Sequence, residues 1–361
     1  MKVLFISFVG SDSYSGGKQC SQRNLSSLEV IYGKENVISF IFEEYPHKNF
    51  IIKLFYRIIN VFRMYMGGVT RKRITSVLKI VEEENIDLVF VDSSLLGVIV
   101  QAIKTKYSQV RVVTYFHNCE YNFCKDHVFV KKDYIRFYWI LLAYFNERKV
   151  VRYSDKTICL NIRDYDDITN LYKRTPDAII PISFMDVYNG MDHTFPILTL
   201  EKKALFVGSY FFANIEGIKW FIVNVFPHVN IELSIVGAGM GNLGNNLREI
   251  PKNIHIYDTV PDLTPFYLEA DFVILPIFSG SGMKVKTAES LMYGKYILGT
   301  DEAFMGYEVG GSYAIRCNTQ DDFIRAIENT DFTRYSAESR NLFLSKYSFE
   351  ATLSLFKRVL Y

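Results

Sequence analysis

Short apolar runs recur along the chain at 3–8, 37–42, 88–91, 110–116 and 157–160, and again at 204–207, 231–236, 254–257, 272–275 and 296–298. Stretches of helical character separate them. This alternation predicts parallel strands joined by crossover helices, and its recurrence in two series predicts two doubly wound domains. The first is expected over 1–183 and the second over 204–345. Between them, at 184–203, the pattern lapses around Asn189-Gly190-Met191-Asp192-His193, which reads as a linker. Residues 346–361 return to a helical pattern and are expected to pack back onto the first domain. A length of 361 residues is generous for one core and suits two.

Ligands of open α/β sheets bind beyond the carboxyl ends of the strands, so those ends carry the candidate chemistry. The run 272–275 stops at Pro276 and leads into Gly280-Ser281-Gly282-Met283-Lys284-Val285-Lys286-Thr287-Ala288-Glu289, which opens a helix ending near Gly294. Gly280 and Gly282 let backbone approach a ligand closely, and the helix start offers N–H groups and a positive dipole end. Lys286, Glu289, Ser290 and Tyr293 fall at i, i+3, i+4 and i+7, one polar stripe on a largely apolar helix. Together these make an anion site with a carboxylate placed to hold ribose hydroxyls. The same residues also fit a capped core helix whose Lys286 and Glu289 are solvated or paired. Other strand ends carry Gly16-Gly17, ahead of a helix bearing Arg23, then His117-Asn118-Cys119-Glu120-Tyr121, and Gly208-Ser209. Each alone is more often structural, but jointly they point to a ligand site.

Composition narrows the partners. With 49% hydrophobic and 22% charged residues the chain is an ordinary globular protein, and its net charge of +2 and lack of a recognised motif argue against nucleic acid. Charge is unevenly spread, however. From Tyr45 to Val81 there is no Asp or Glu against eight Lys or Arg, which points to a local anionic partner. Within 50–66, Lys53, Arg57 and Asn60 form one narrow stripe on an apolar and aromatic stretch. That suits an interfacial helix for anionic lipid headgroups through 48–79, or a core helix with snorkelling cations. The stretch 131–139 has similar character. Five dispersed cysteines suit reducing cytoplasm rather than a disulfide framework. Cys119 and Cys124, with His117 and His127 nearby, match no zinc spacing, so no metal site is expected. No apolar run reaches the ~18 residues of a membrane span. The expected location is the cytoplasm, at the inner face of the cytoplasmic membrane.

Five segments of the second half, Phe206-Val207-Gly208-Ser209, Asn214-Ile215-Glu216-Gly217, Ile235-Val236-Gly237-Ala238-Gly239, Ala270-Asp271 and 280–294, resemble the group 1 glycosyltransferases of the GT-B fold. Weaker echoes lie at Gly16-Gly17 and at His117-Asn118-Cys119-Glu120-Tyr121. The resemblance implies an α/β protein with two Rossmann-like domains facing each other across a cleft. It implies that Glu289 holds the donor ribose and that Gly282 and Met283 offer amides to the diphosphate, with Gly280 and Ser281 in the same turn. Gly16 and Gly17 would face the diphosphate from the other domain, Gly208 and Ser209 would line the nucleotide site, and His117 would stand beside the donor sugar. Two departures stand out. Ser281 occupies the place of the first of a glutamate pair found in many members, and the usual Arg and Lys after the first strand of the second domain are missing. Lys284, and after it Lys286, would then supply the charge for the phosphates.

The implied reaction is a retaining, metal-independent transfer from a nucleotide-diphosphate sugar, with no further cofactor, to a glycan acceptor carried on a lipid, in cell-surface polysaccharide synthesis. A nucleotide-sugar epimerase or a non-catalytic partner of a glycosyltransferase are the alternatives. A dinucleotide oxidoreductase is suggested by Gly237-Ala238-Gly239-Met240-Gly241, although the third glycine of its fingerprint is displaced.

Overall fold

The computed structural model describes residues 1–8, 16–42, 58–66, 68–130, 132–188, 201–246, 250–280 and 282–361, with backbone alone at 16, 245 and 246. These fall into two compact units, Met1–Pro181 with Leu353–Tyr361, and Ile182–Thr352.

The first unit is built on six parallel strands, β1 (Val3–Phe8), β2 (Val37–Phe42), β3 (Leu88–Val91), β4 (Arg111–Phe116), β5 (Lys156–Cys159) and β6 (Ala178–Ile179), in the order β2-β1-β3-β4-β5-β6. Its crossover helices are α1 (Gly16–Tyr32), α2 (Arg71–Glu83), α3 (Gly97–Lys106), α4 (Glu120–Val130), α5 (Phe137–Tyr153) and α6 (Ile162–Tyr172). Strands β1 and β3 are buried along nearly their whole length, which is why they read as unbroken apolar runs rather than alternating ones. Asn161 starts α6 by accepting from the Asp164 amide, and Thr70 starts α2 by accepting from the Arg73 amide.

The second unit repeats the plan with β7 (Lys202–Val207), β8 (Ile231–Val236), β9 (Ile254–Tyr257), β10 (Phe272–Leu275), β11 (Tyr296–Gly299) and β12 (Ala314–Arg316), in the order β12-β11-β10-β7-β8-β9. The register sets Phe272 against Ala204 on one side and Tyr296 on the other, so β10 is central. Helices α7 (Phe212–Asn224), α8 (Thr264–Glu269), α9 (Val285–Met292), α10 (Gln320–Asn329) and α11 (Ala337–Leu342) complete it. A capping box between Thr319 and Asp322 opens α10.

Ten strands match the apolar runs to within a residue or two. The two unread ones, β6 and β12, are edge strands of two and three residues that are only partly buried, too short to show a period. Residues 182–188, placed by sequence at the end of the first domain and the start of a linker, join the second unit instead. Tyr188 is buried with its ring against Tyr293 and Tyr335, and Asp186 pairs with Arg340. Residues 189–200 of the expected linker lie outside the described residues. The last helix, α12 (Phe349–Leu360), starts in the second unit and ends in the first. There the Arg111 guanidinium donates to the carbonyls of Val359 and Leu360, and the Phe356 ring lies 6.2 Å from that of Phe90.

Candidate functional site

The turn from β10 into α9 has the geometry its glycines suggest. Gly280 and Gly282 take φ of +127° and +65°, conformations that favour residues without a Cβ. The helix runs Val285–Met292 and is followed by Gly294 at φ +62°. A second segment clasps its start. Thr287 donates to the Ala303 carbonyl at 2.8 Å, and the Tyr307 hydroxyl donates to the Lys284 carbonyl at 2.7 Å. Among the described residues, neither the Gly282 nor the Met283 amide has a hydrogen-bond acceptor. Ser281 lies outside the described residues.

The two lysines of this turn differ in situation. Lys284 forms an ion pair with Glu302 at 2.7 Å and also donates to the Gly282 carbonyl at 3.0 Å. Lys286 faces the end of β7, where its ammonium donates to Asn214 Oδ1 and stands 5.0 Å from the Phe206 ring centre. Asn214 in turn donates to the Ser209 carbonyl at 2.8 Å, which fixes its amide between strand end and lysine. Gly208 is small for a steric reason, since a Cβ there would stand 2.9 Å from Asn214 Nδ2 and 3.0 Å from Lys286 Nζ. Burial, assisted by Lys284 and opposed by Glu289, pushes Lys286 down to about 7. A cation held this weakly in a partly desolvated place gains from an arriving anion.

Glu289 lies one turn further along α9. Burial raises its carboxyl above the ordinary range, against the pull of Lys286. The Tyr267 hydroxyl is 3.5 Å from its Oε2, and the Tyr267 ring stacks on Tyr293 at 4.4 Å. Ser290 and Tyr293, read as part of the polar stripe, are buried. Ser290 donates back to the Lys286 carbonyl and Tyr293 meets Thr264, so both belong to the packing that holds the helix. What remains of the stripe is Lys286 and Glu289.

The glycine turn after β8 serves the same region structurally. The Tyr210 amide donates to the Ala238 carbonyl at 2.8 Å, and the Gly239 amide donates to Asp258 at 2.6 Å. A 3₁₀ turn follows at Met240–Asn246 where a dinucleotide fold would begin an α-helix. The Gly239 amide that a pyrophosphate would use in such a fold is thus already taken by the Asp258 carboxylate.

In the first unit His117 follows β4 and Asp92 follows β3. The His117 Nε2 is 3.1 Å from Asp92 Oδ1, and Asp92 is buried, also accepting from Ser7 at 2.9 Å and Asn24 at 2.6 Å. Against the cost of burial, Asp92 and Cys20 hold His117 well above the usual histidine range, which favours its charged form. Beneath it the Arg23 guanidinium donates to the Tyr115 hydroxyl at 2.9 Å and to the Pro181 carbonyl at 2.8 Å. Gly16 begins α1 and Gly17 is exposed at its first turn. Of the basic stretch 48–79, residues 48–57 and 67 lie outside the described residues.

Thus Gly208, Ser209, Lys286 and Glu289 come together in the second unit, with Gly280, Gly282, Met283 and Lys284 in the adjoining turn. Asn214, Glu302 and Asp92 were not read as site residues. Asp92 was legible, since it follows an apolar run at a strand end; the role of Asn214 depends on a contact across 72 positions.

Residues 201–330 match the family described as Glycosyl transferases group 1. The matched part of the second unit is therefore similar to the group 1 glycosyltransferases. No curated protein matches. Among solved structures, a lipopolysaccharide outer core galactosyltransferase, WaaB, is 13% identical with a TM-score of 0.70 over 100% of this chain and 99% of that one. A glycosyltransferase from Rickettsia africae is 14% identical with a TM-score of 0.67 over 99% of each chain. Anabaena HepE in complex with UDP is 12% identical with a TM-score of 0.67 over 100% and 99%. These likenesses establish that the chain has the two-unit GT-B fold.

Proposed function

We propose that this glycosyltransferase moves a sugar from a nucleoside-diphosphate donor, with retention of configuration, to a glycan acceptor carried on a lipid in cell-surface polysaccharide synthesis. The observation that carries the reading is the Lys286 ammonium set between Gly208 and Asn214, one helical turn from Glu289. A diphosphate brings the anion that a weakly held lysine lacks, and Glu289 supplies the acceptor for two ribose hydroxyls. The similarity to HepE, whose structures contain UDP and UDP-glucose, supports a donor of this class.

The chemistry asked of the protein is electrostatic. As the bond from sugar to phosphate oxygen breaks, charge gathers on the departing diphosphate. Lys286, the amides of Gly282 and Met283 and the start of α9 stabilise that charge by fixed dipoles and a cation. Retention follows if the acceptor oxygen arrives on the face from which the diphosphate leaves. His117, charged on Asp92, holds the transferred sugar. Lys284, tied to Glu302, chiefly fixes the turn and leaves the phosphates to Lys286.

A thermal-shift series with UDP-, GDP- and ADP-sugars tests the donor reading, because a ligand of the folded state raises its stability by an amount set by affinity. Stabilisation by a nucleotide sugar, and acceptor-dependent product with the donor's anomeric configuration, is expected. Product formed without acceptor would indicate an epimerase instead. No shift with any nucleoside diphosphate would sink the proposal.

A further inference from the structure

We infer that the joined ends of α4 and α5 form a docking surface for an anionic bilayer, and that this hairpin is the part of the first unit that enters the headgroup layer. The inference builds on the reading of a lipid-borne acceptor and names where the lipid is met.

Large apolar side chains gather there on the outside. Phe129 and Val130 end α4, Tyr134 and Ile135 form the connecting turn, and Phe137 and Leu141 continue onto α5, all of them exposed. Ile135 is 89% exposed and Val130 73%. The Phe129 and Tyr134 rings meet edge to face at 6.4 Å, so the surface is continuous across the turn. Tyr134, Phe137 and Leu141, at i, i+3 and i+7, lie along one face.

This face is not the hairpin's core face. Cys124, Val128, Ile140 and Ala143 form a buried cluster of their own, with Trp139 packed against it. The two helices are therefore apolar both inward and outward. A helix pair needs one such face to fold, and a second exposed one marks a surface that meets something apolar.

Charge favours a bilayer as the occupant. Lys125 and Lys132 are exposed at the rim, and Lys131 stands beside Lys132 in the sequence. Arg136 lies over Trp139 at 4.7 Å while pairing with Asp133. The Asn146 side chain donates to the Met64 carbonyl at 3.0 Å and so ties α5 to a segment that carries Phe62, 83% exposed, and the exposed cations Arg63, Arg71 and Lys72. No acid occurs in that segment. Aromatic and aliphatic groups with cations around them suit the headgroup boundary, where rings bury and cations meet lipid phosphates.

The experiment is co-flotation of the full chain with vesicles of phosphatidylcholine alone or mixed with phosphatidylglycerol, with nucleotide binding and sedimentation measured on the same samples. Wild type is expected to float with the anionic vesicles and hardly with the neutral ones. The double variant Val130→Asp/Ile135→Asp, at exposed positions, and the charge variant Lys132→Glu should each lower the bound fraction several-fold while UDP affinity stays unchanged. Equal flotation of wild type and variants, or none by wild type, overturns the inference. So does a wild-type dimer that the double variant dissolves, since the face would then join two copies of the chain. Flotation as expected without any nucleotide binding would strike the donor site and leave this surface standing.

Discussion

The Lys286 ammonium rests against Gly208, close enough that a Cβ added to the glycine would stand 3.0 Å from Nζ. The end of β7 and the second residue of α9 are thus fitted to each other, with Asn214 completing the contact.

Gly208→Ala should therefore act on binding more than on folding. Its backbone is not in the left-handed region, and the atoms it meets are ends of the Asn214 and Lys286 side chains, which can give way. The expected result is about tenfold weaker nucleotide binding, ~1.4 kcal/mol. Calorimetry measures the affinity, and a denaturant midpoint close to that of wild type separates it from unfolding.

Binding of the diphosphate should consume a proton. Lys286 sits at about 7 when the site is empty. An arriving diphosphate favours the charged form and raises that value, so affinity falls as pH rises from 7 towards 9. At pH 8, calorimetry in buffers of different ionisation heat should show proton uptake on binding. Lys286→Arg, charged throughout, should abolish that uptake. The stability effect has a defined sign too. With its folded value lowered from lysine's ordinary 10.5, the folded chain binds fewer protons than the unfolded one between about pH 7 and 10.5, so this group adds stability as pH rises through that window.

Asp92→Asn should shift His117 without touching the residues proposed to hold the nucleotide. The carboxylate 3.1 Å from Nε2 is the largest of the influences that raise the imidazole, acting against burial. The pair contributes stability that is full below about 6.5 and lost as pH rises through the folded value. The variant should lower the His117 titration seen by NMR and reduce kcat by roughly tenfold or more, with UDP affinity unchanged. An unaltered His117 titration would count against the pairing.

Most of the fold was legible because both sheets are parallel, and strands buried on both faces, such as β1, β3 and β10, appear as unbroken apolar runs. β6 and β12 escaped because two or three edge residues carry no period. Gly208, Lys286 and Glu289 were legible as a strand end and a helix stripe. The partners of the two lysines were not, because Glu302 stands eighteen positions from Lys284 and Asn214 stands 72 positions from Lys286. The inward turn of Ser290 and Tyr293 was hidden for a related reason. Periodicity puts polar groups on a face, but a hydroxyl that finds a carbonyl or another hydroxyl can be buried there.

Glu147 offers a test of packing apart from the site. Its carboxylate accepts from Ser94 at 3.0 Å, from the Glu120 and Tyr121 amides at 2.8 and 3.1 Å, and from Tyr172 at 2.8 Å, which caps the start of α4 from a distance. Glu147→Ala leaves those donors buried without an acceptor. A loss of about 3 kcal/mol in urea unfolding is expected, and a loss under ~0.5 kcal/mol would show that water replaces the carboxylate freely.

The central claim is that Lys286 and Glu289 hold a nucleoside diphosphate. Its most direct test is titration of UDP, GDP and ADP into the wild-type chain and into Lys286→Met and Glu289→Ala. The account predicts that wild type binds one of them, that each variant weakens that binding at least ~tenfold, and that both variants keep the wild-type unfolding transition. Binding of equal strength in all three proteins would contradict it.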